Sequence, residues 1–156
     1  MEYVNHPKYG NVPLASDEEH SLEEITNAHW RYSSLQFFPQ TAIKADTSLQ
    51  NFRMCPRRIY VDIEETCTVC SRLFIFFARE QQYWFEHLKF YVDSHCRECF
   101  ECRQVSKRTK SMQANYQRLR ETADRTPVQD AELEDIALAL YQLGIIKDEK
   151  LLRAGK

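Results

Sequence analysis

Two short stretches, Cys67-Thr68-Val69-Cys70 and Cys96-Arg97-Glu98-Cys99-Phe100-Glu101-Cys102, decide how this chain is read. The first is one C-x-x-C turn, and the second holds two that overlap at Cys99. Such a turn brings two thiolates to one tetrahedral ion, so two of them complete a closed four-thiolate zinc site. The stretch between them is 25 or 28 residues, depending on the pair chosen. That exceeds the minimal ribbon spacing of about 15–20 residues, and a helix in between accounts for the excess. Cys99 and Cys102 fall at the start of an expected helix whose dipole stabilises thiolates, so they are the preferred second pair. Cys96 is the alternate ligand. The plain alternative, reduced cysteines packed as small hydrophobes, does not account for the paired spacing. Cys55, beside Pro56, has no partner at ligand spacing and reads as structural.

Working outward, Arg58–Ile63 alternates and is rich in β-formers, as is Arg72–Phe77, which predicts a hairpin with the Cys67–Cys70 turn between its strands. A breaker-free stretch with Tyr83, Trp84, His87 and Leu88 at helical spacing predicts a helix over about 79–89. A long helix should follow from about Phe100 to Asp124. Upstream, residues 1–20 read as an extended arm, and Ser21-Leu22-Glu23-Glu24 is a capping box opening a helix over about 22–34. Pro39 ends whatever precedes it. Downstream, Thr126-Pro127-Val128-Gln129 starts a fresh helix, Leu133, Ile136, Ala137, Leu140 and Leu143 form its stripe, and Gly144 is the stop. A last turn falls at Asp148–Arg153. The expected fold is α+β: a treble-clef or zinc-ribbon-like hairpin and helix at the centre, with an N-terminal arm and helix and C-terminal helices. The expected segments are 1–54 packing on the core, 55–125 binding zinc, and 126–156 helical.

Cys67-x-x-Cys70, then Phe74-Ile75-Phe76-Phe77-Ala78-Arg79-Glu80-Gln81-Gln82-Tyr83-Trp84, then Cys99-x-x-Cys102-Arg103 resembles the probable zinc-ribbon domain family of bacterial proteins. The resemblance covers about residues 60–105. It implies a treble-clef-like arrangement with Zn2+ on Cys67, Cys70, Cys99 and Cys102, and no established activity. This chain differs from the pattern in having Lys89 where a Gly is usual, no Pro before the second pair, and an extra cysteine, Cys96.

A four-thiolate zinc keeps no open position for water, so the metal reads as structural and the protein as non-enzymatic. Motifs for a phosphate loop, a nucleophile elbow or a zinc protease do not occur, and the five histidines are scattered. His95, next to Cys96, is the one histidine placed to substitute for a thiolate. The 156 residues carry a net charge of −2, which excludes a histone-like polycation. That total hides a basic stretch: residues 100–120 hold six basic residues and one acidic, net +5. Arg103, Lys107, Arg108 and Lys110 are therefore the candidate nucleic-acid-binding residues, with Arg103, Lys107 and Lys110 on one helix face. The function expected is a zinc-binding adaptor for nucleic acid or ribonucleoprotein. The alternatives are a protein–protein interaction module using the acidic arm and the 127–143 helix, or a thiol-redox sensor using Cys96 and Cys102. No export signal is visible, and the longest apolar run, Leu73–Ala78, is far short of the roughly 20 residues that span a bilayer. A cytoplasmic location with no membrane partner is the expectation.

Overall fold

The β-branched and aromatic residues flanking the first C-x-x-C turn form strands. The computed structural model, which describes residues 2–154, places an antiparallel three-stranded sheet in the order β1 (Phe37–Lys44), β2 (Ile59–Thr66), β3 (Leu73–Phe76). The hairpin β2–β3 pairs Ile63 with Phe76 and Thr66 with Leu73, so the turn at Cys67–Cys70 closes it as the alternation predicts.

Strand β1 was not expected, because Pro39 reads as a terminator. Pairing with β2 runs through Phe37–Ile63 and Phe38–Asp62 and resumes at Ile43–Tyr60 and Lys44–Ile59, leaving an irregularity between Phe38 and Ile43. Pro39 sits in that bulge on an edge strand, where a missing N–H costs no ladder bond. The Thr41 hydroxyl takes over there, accepting from the Asp62 N–H (2.8 Å) and donating to the Phe38 carbonyl (2.7 Å).

The arm is strapped to this sheet. The Val4 N–H donates to the Leu73 carbonyl (2.9 Å), the Leu14 N–H to the Asp62 carboxylate (2.8 Å), and the Lys44 N–H to Glu18 (2.7 Å). Helix α1 (Leu22–Ala28) opens with the expected capping box at Ser21 and Glu24. It stops earlier than expected because His29 turns to an extended conformation and caps a separate 3-10 turn, Trp30–Ser33, with its ring nitrogen. The Ala28 carbonyl, freed by that stop, accepts from the Arg58 N–H (3.2 Å).

Helix α2 (Ala78–Gln82) continues into a π turn over Tyr83–His87, with the Leu88 N–H bonded back to the Tyr83 carbonyl (3.0 Å). The wider turn carries Phe85 and Glu86 into the core. It ends at Lys89, whose φ of 60° is the left-handed conformation that glycine adopts without strain. Lys89 holds it while donating its ammonium to the Leu49 carbonyl (2.6 Å).

Arg57 is buried beneath α2. Its guanidinium lies 4.8 Å from the Phe85 ring and 5.6 Å from that of Tyr32, and it donates to Gln81 (3.2 Å) and to the Val92 carbonyl (2.6 Å). Gln81, fully buried, donates in turn to the carbonyls of Val61 (2.7 Å) and Phe76 (3.0 Å). Both ends of the Gln81 side-chain amide are thus satisfied, as burial in a low dielectric requires.

The chain divides into two compact units, Met1–Cys102 and Arg103–Lys156. The second holds the larger part of α3 (Phe100–Glu121), all of α4 (Pro127–Gln142) and a 3-10 turn, Glu149–Leu152. Helix α4 begins with the expected capping box at Thr126 and Gln129 and ends at Gln142, with Leu143 as its cap and Gly144 following at φ 74°. Leu133, Ala137 and Leu140 from its stripe are buried, and Ile146 joins the latter two in a small core. Among the described residues no helix is long and apolar enough to cross a membrane.

Candidate metal centre

Cys67 directly follows β2 and begins a knuckle closed by its own backbone. The Ser71 N–H donates to the Cys67 carbonyl (2.9 Å) and the Cys67 N–H to the Arg72 carbonyl (2.9 Å), with Ser71 at φ 60°. The second cysteine loop is tied to it through Thr68, whose N–H (2.9 Å) and hydroxyl (3.2 Å) both donate to the Arg97 carbonyl. Cys99 immediately precedes α3, and Cys102 sits in that helix's first turn. A hairpin knuckle therefore faces the opening turn of a helix.

The sulfurs of Cys67, Cys70, Cys99 and Cys102 all lie within 4.8 Å of one another. Those of Cys70 and Cys99 are 3.8 Å apart. A regular tetrahedron with metal–sulfur bonds of about 2.3 Å has an edge of about 3.8 Å, so the spacing suits four thiolates around one ion. Cys67 and Cys99 are buried, and Cys70 and Cys102 are half-buried.

The surroundings favour negative sulfur on one side of the cluster and resist it on the other. The Arg72 backbone N–H, followed by its guanidinium at 3.4 Å, holds the Cys70 thiol well down, at about 6. Burial pushes the Cys67 thiol up, but backbone N–H groups of Cys70, Cys99 and Val69 outweigh it and leave the thiol below its ordinary value. Burial raises Cys99 and Cys102, and for Cys102 the neighbouring thiols add to the rise. Four sulfurs at this separation cannot all ionise on their own, and a cation at their centre would let them. Arg72 also pairs with Glu101, between the two cysteines of the second pair, and so links both halves of the site from outside the thiol cluster.

Cys96 lies outside the cluster. It is buried, and its thiol donates to the Glu98 carbonyl (3.4 Å). Cys55 is exposed. The histidines are engaged elsewhere: His6 with Glu80 (3.5 Å), His20 with Glu18 (2.8 Å), His29 with Asp93 (3.1 Å), His95 with Glu65 (3.2 Å), while His87 stacks on Tyr83 (5.8 Å). His95 thus does not replace a thiolate.

Sequence reasoning missed Arg72 and Thr68 as supports of the site. The position of Arg72, two residues after Cys70, was the available signal. Along α3, Lys107, Arg108 and Lys110 are exposed, whereas Arg103 is half-buried.

No curated protein and no solved structure matches the chain. With a hairpin knuckle supplying Cys67 and Cys70 and a helix start supplying Cys99 and Cys102, residues 61–111 match the family model described as "Probable treble clef domain".

Proposed function

We propose that Cys67, Cys70, Cys99 and Cys102 hold one structural zinc ion in a non-enzymatic protein that acts as an adaptor for nucleic acid or ribonucleoprotein. The observation that carries the zinc reading is the convergence of four cysteine sulfurs within 4.8 Å on a knuckle and a helix start. Zinc has no electronic preference among geometries and takes four thiolates tetrahedrally, which leaves no coordination position for a reacting water. The site therefore ties backbone segments together and does no chemistry on a substrate.

Support for the nucleic-acid reading comes from α3. Lys107 and Lys110 lie three residues apart on one face with Arg108 beside them, and all three are exposed. Each is available to neutralise a phosphate, which makes binding salt-dependent and largely indifferent to sequence.

Metal content per chain, measured on protein purified without chelator, tests the first part. One zinc per chain in the wild type, lost in Cys67→Ser and Cys99→Ser, is expected. Charge reversal at Lys107, Arg108 and Lys110 tests the second. The triple variant should lose retention on RNA or DNA at low salt, and undiminished retention removes the adaptor role while leaving the metal site intact.

A further inference from the structure

Within Arg103–Lys156 lies a cavity of about 280 Å³ bordered by Arg120, Arg125, Lys150 and Arg153, with Tyr116 also in its lining. Leu133 and Leu151 complete the lining, and among the described residues no carboxylate lines it. Arg120 comes from the end of α3, Arg125 from the loop before α4, and Lys150 and Arg153 from the final turn and the residue that caps it. The chain thus gathers four cations from three segments onto one recess, although like charges at short range repel.

Of the acidic residues close by, one pairs with the lining cation Arg125, and three accept from backbone N–H groups or the Tyr141 hydroxyl. Asp130 accepts from Arg125 (2.7 Å), Asp148 from the Lys150 backbone N–H (2.9 Å), Glu149 from the Tyr141 hydroxyl (3.2 Å) and Glu134 from the Ala154 N–H (3.0 Å). Arg125 is further occupied with the carbonyls of Leu119 and Thr122 (both 3.2 Å), so it positions the loop that frames the cavity. Arg120 donates to the Tyr116 oxygen (3.1 Å), which leaves the tyrosine proton for another acceptor.

We propose that this cavity binds the terminal phosphoryl group of a small phosphorylated molecule. A phosphomonoester carries about 1.5–2 negative charges at neutral pH on three acceptor oxygens. Arg120, Lys150 and Arg153 match that charge, and the Tyr116 hydroxyl supplies a further donor. A phosphodiester, with a single charge and substituents on two oxygens, matches it less well. The apolar surface of Leu133 and Leu151 excludes water from part of the recess, which strengthens each charged contact. The cavity shares no residue with the four cysteines or with Lys107, Arg108 and Lys110, so the inference stands or falls apart from the adaptor reading.

The test titrates full-length, metal-loaded protein with pyrophosphate, with 5′-AMP, and with a capped oligonucleotide whose phosphates are all internal diesters. Calorimetry gives the affinity and amide shifts give the place. Saturable binding of pyrophosphate and 5′-AMP, with shifts at Tyr116, Arg120, Lys150 and Arg153, is expected. The exposed pair Lys150→Gln and Arg153→Gln together should weaken it about tenfold or more, and the reversal at Lys107, Arg108 and Lys110 should leave it unchanged. Tyr116→Phe, which keeps the packing, should weaken it less and serves if the double variant is unstable. No saturable binding by wild type, undiminished binding by the double variant, or equal binding of the capped oligonucleotide at this cavity would each overturn the proposal.

Discussion

Residues Met1–Cys102 and Arg103–Lys156 solve the problem of holding a fold in different ways. The first unit surrounds its sheet with aromatic residues, threads a buried polar network through them, and gathers all four metal-site thiols, the fourth at its last residue. The second relies on helix caps and a core in which Ala137, Leu140 and Ile146 are buried against half-buried neighbours such as Met112 and Tyr116. One unit thus depends on long-range connections, and the other on local helix chemistry closed by a modest apolar seam. Losing a single group should therefore cost more in the first than in the second.

Metal removal should have the largest effect. Structural zinc in peptide models contributes about 10–16 kcal/mol, comparable to the whole stability of a domain. Stripping the ion should abolish amide protection over 61–102 while α4, with its own cap and seam, keeps its protection. Uniform loss of protection across both regions would erase the contrast.

Next comes the buried network. Gln81→Ala leaves the Arg57 guanidinium and the carbonyls of Val61 and Phe76 short of partners, and each such group costs about 1–3 kcal/mol. A loss of roughly 3 kcal/mol in a denaturant melt is expected, and a cost below about 1 kcal/mol would show that the network only fills space.

Two buried titrating groups in the same unit sharpen the point through pH. Burial pushes Asp62 up to about 6, even though its oxygens accept from the Leu14 and Ala78 N–H groups. Burial, aided by Arg57, holds His29 down at about 4. Between about pH 4 and 6 the folded state binds more protons than the unfolded at Asp62, so that group makes stability fall as pH rises. His29 does the reverse. Its folded form takes up fewer protons, so its contribution is complete above about 6.5 and is lost as pH falls toward 4. The slopes oppose each other, each worth up to about 3 kcal/mol in full. His29→Gln should expose the Asp62 slope, giving a variant whose stability, relative to wild type, drops between pH 4.5 and 6.5. A parallel pair of pH profiles would refute it.

The smallest effect belongs to the second unit. Thr126→Ala removes the hydroxyl that accepts the Gln129 N–H (3.2 Å) and should cost about 1 kcal/mol in a thermal melt. A cost as large as that of Gln81→Ala would mean that α4 supports far more than its own seam.

The parts of the fold written in local chemistry were legible. The capping boxes at Ser21 and Thr126, the stop at Gly144 and the alternation around the Cys67–Cys70 turn each depend on residues within a few positions of one another. The paired C-x-x-C spacing likewise pointed to Cys67, Cys70 and Cys99, and the expected helix start favoured Cys102 over Cys96 as the fourth thiol, and these four converge. What stayed hidden depends on partners far along the chain. Pro39 allows a strand only because Thr41 bonds to Asp62 across the bulge. The helix from Ser21 stops at Ala28 because His29 is drawn to Asp93 and Arg58 takes the freed carbonyl. Gln81 is the hub between Arg57 and the sheet, a role that no local pattern around it signals.

The sequence by itself determined three of the thiols, the hairpin, the helix starts and the concentration of positive charge on α3, since spacing and short-range bonding specify all of them, and left Cys102 preferred over Cys96 as the fourth thiol. Only the tertiary structure decided that the arm straps the sheet, that Arg57 is buried among aromatic rings, and that Arg120, Lys150 and Arg153 border one cavity. Each of these joins residues with no periodic relation, and the free energy that selects them is shared among many burial and hydrogen-bond contributions set by the whole fold.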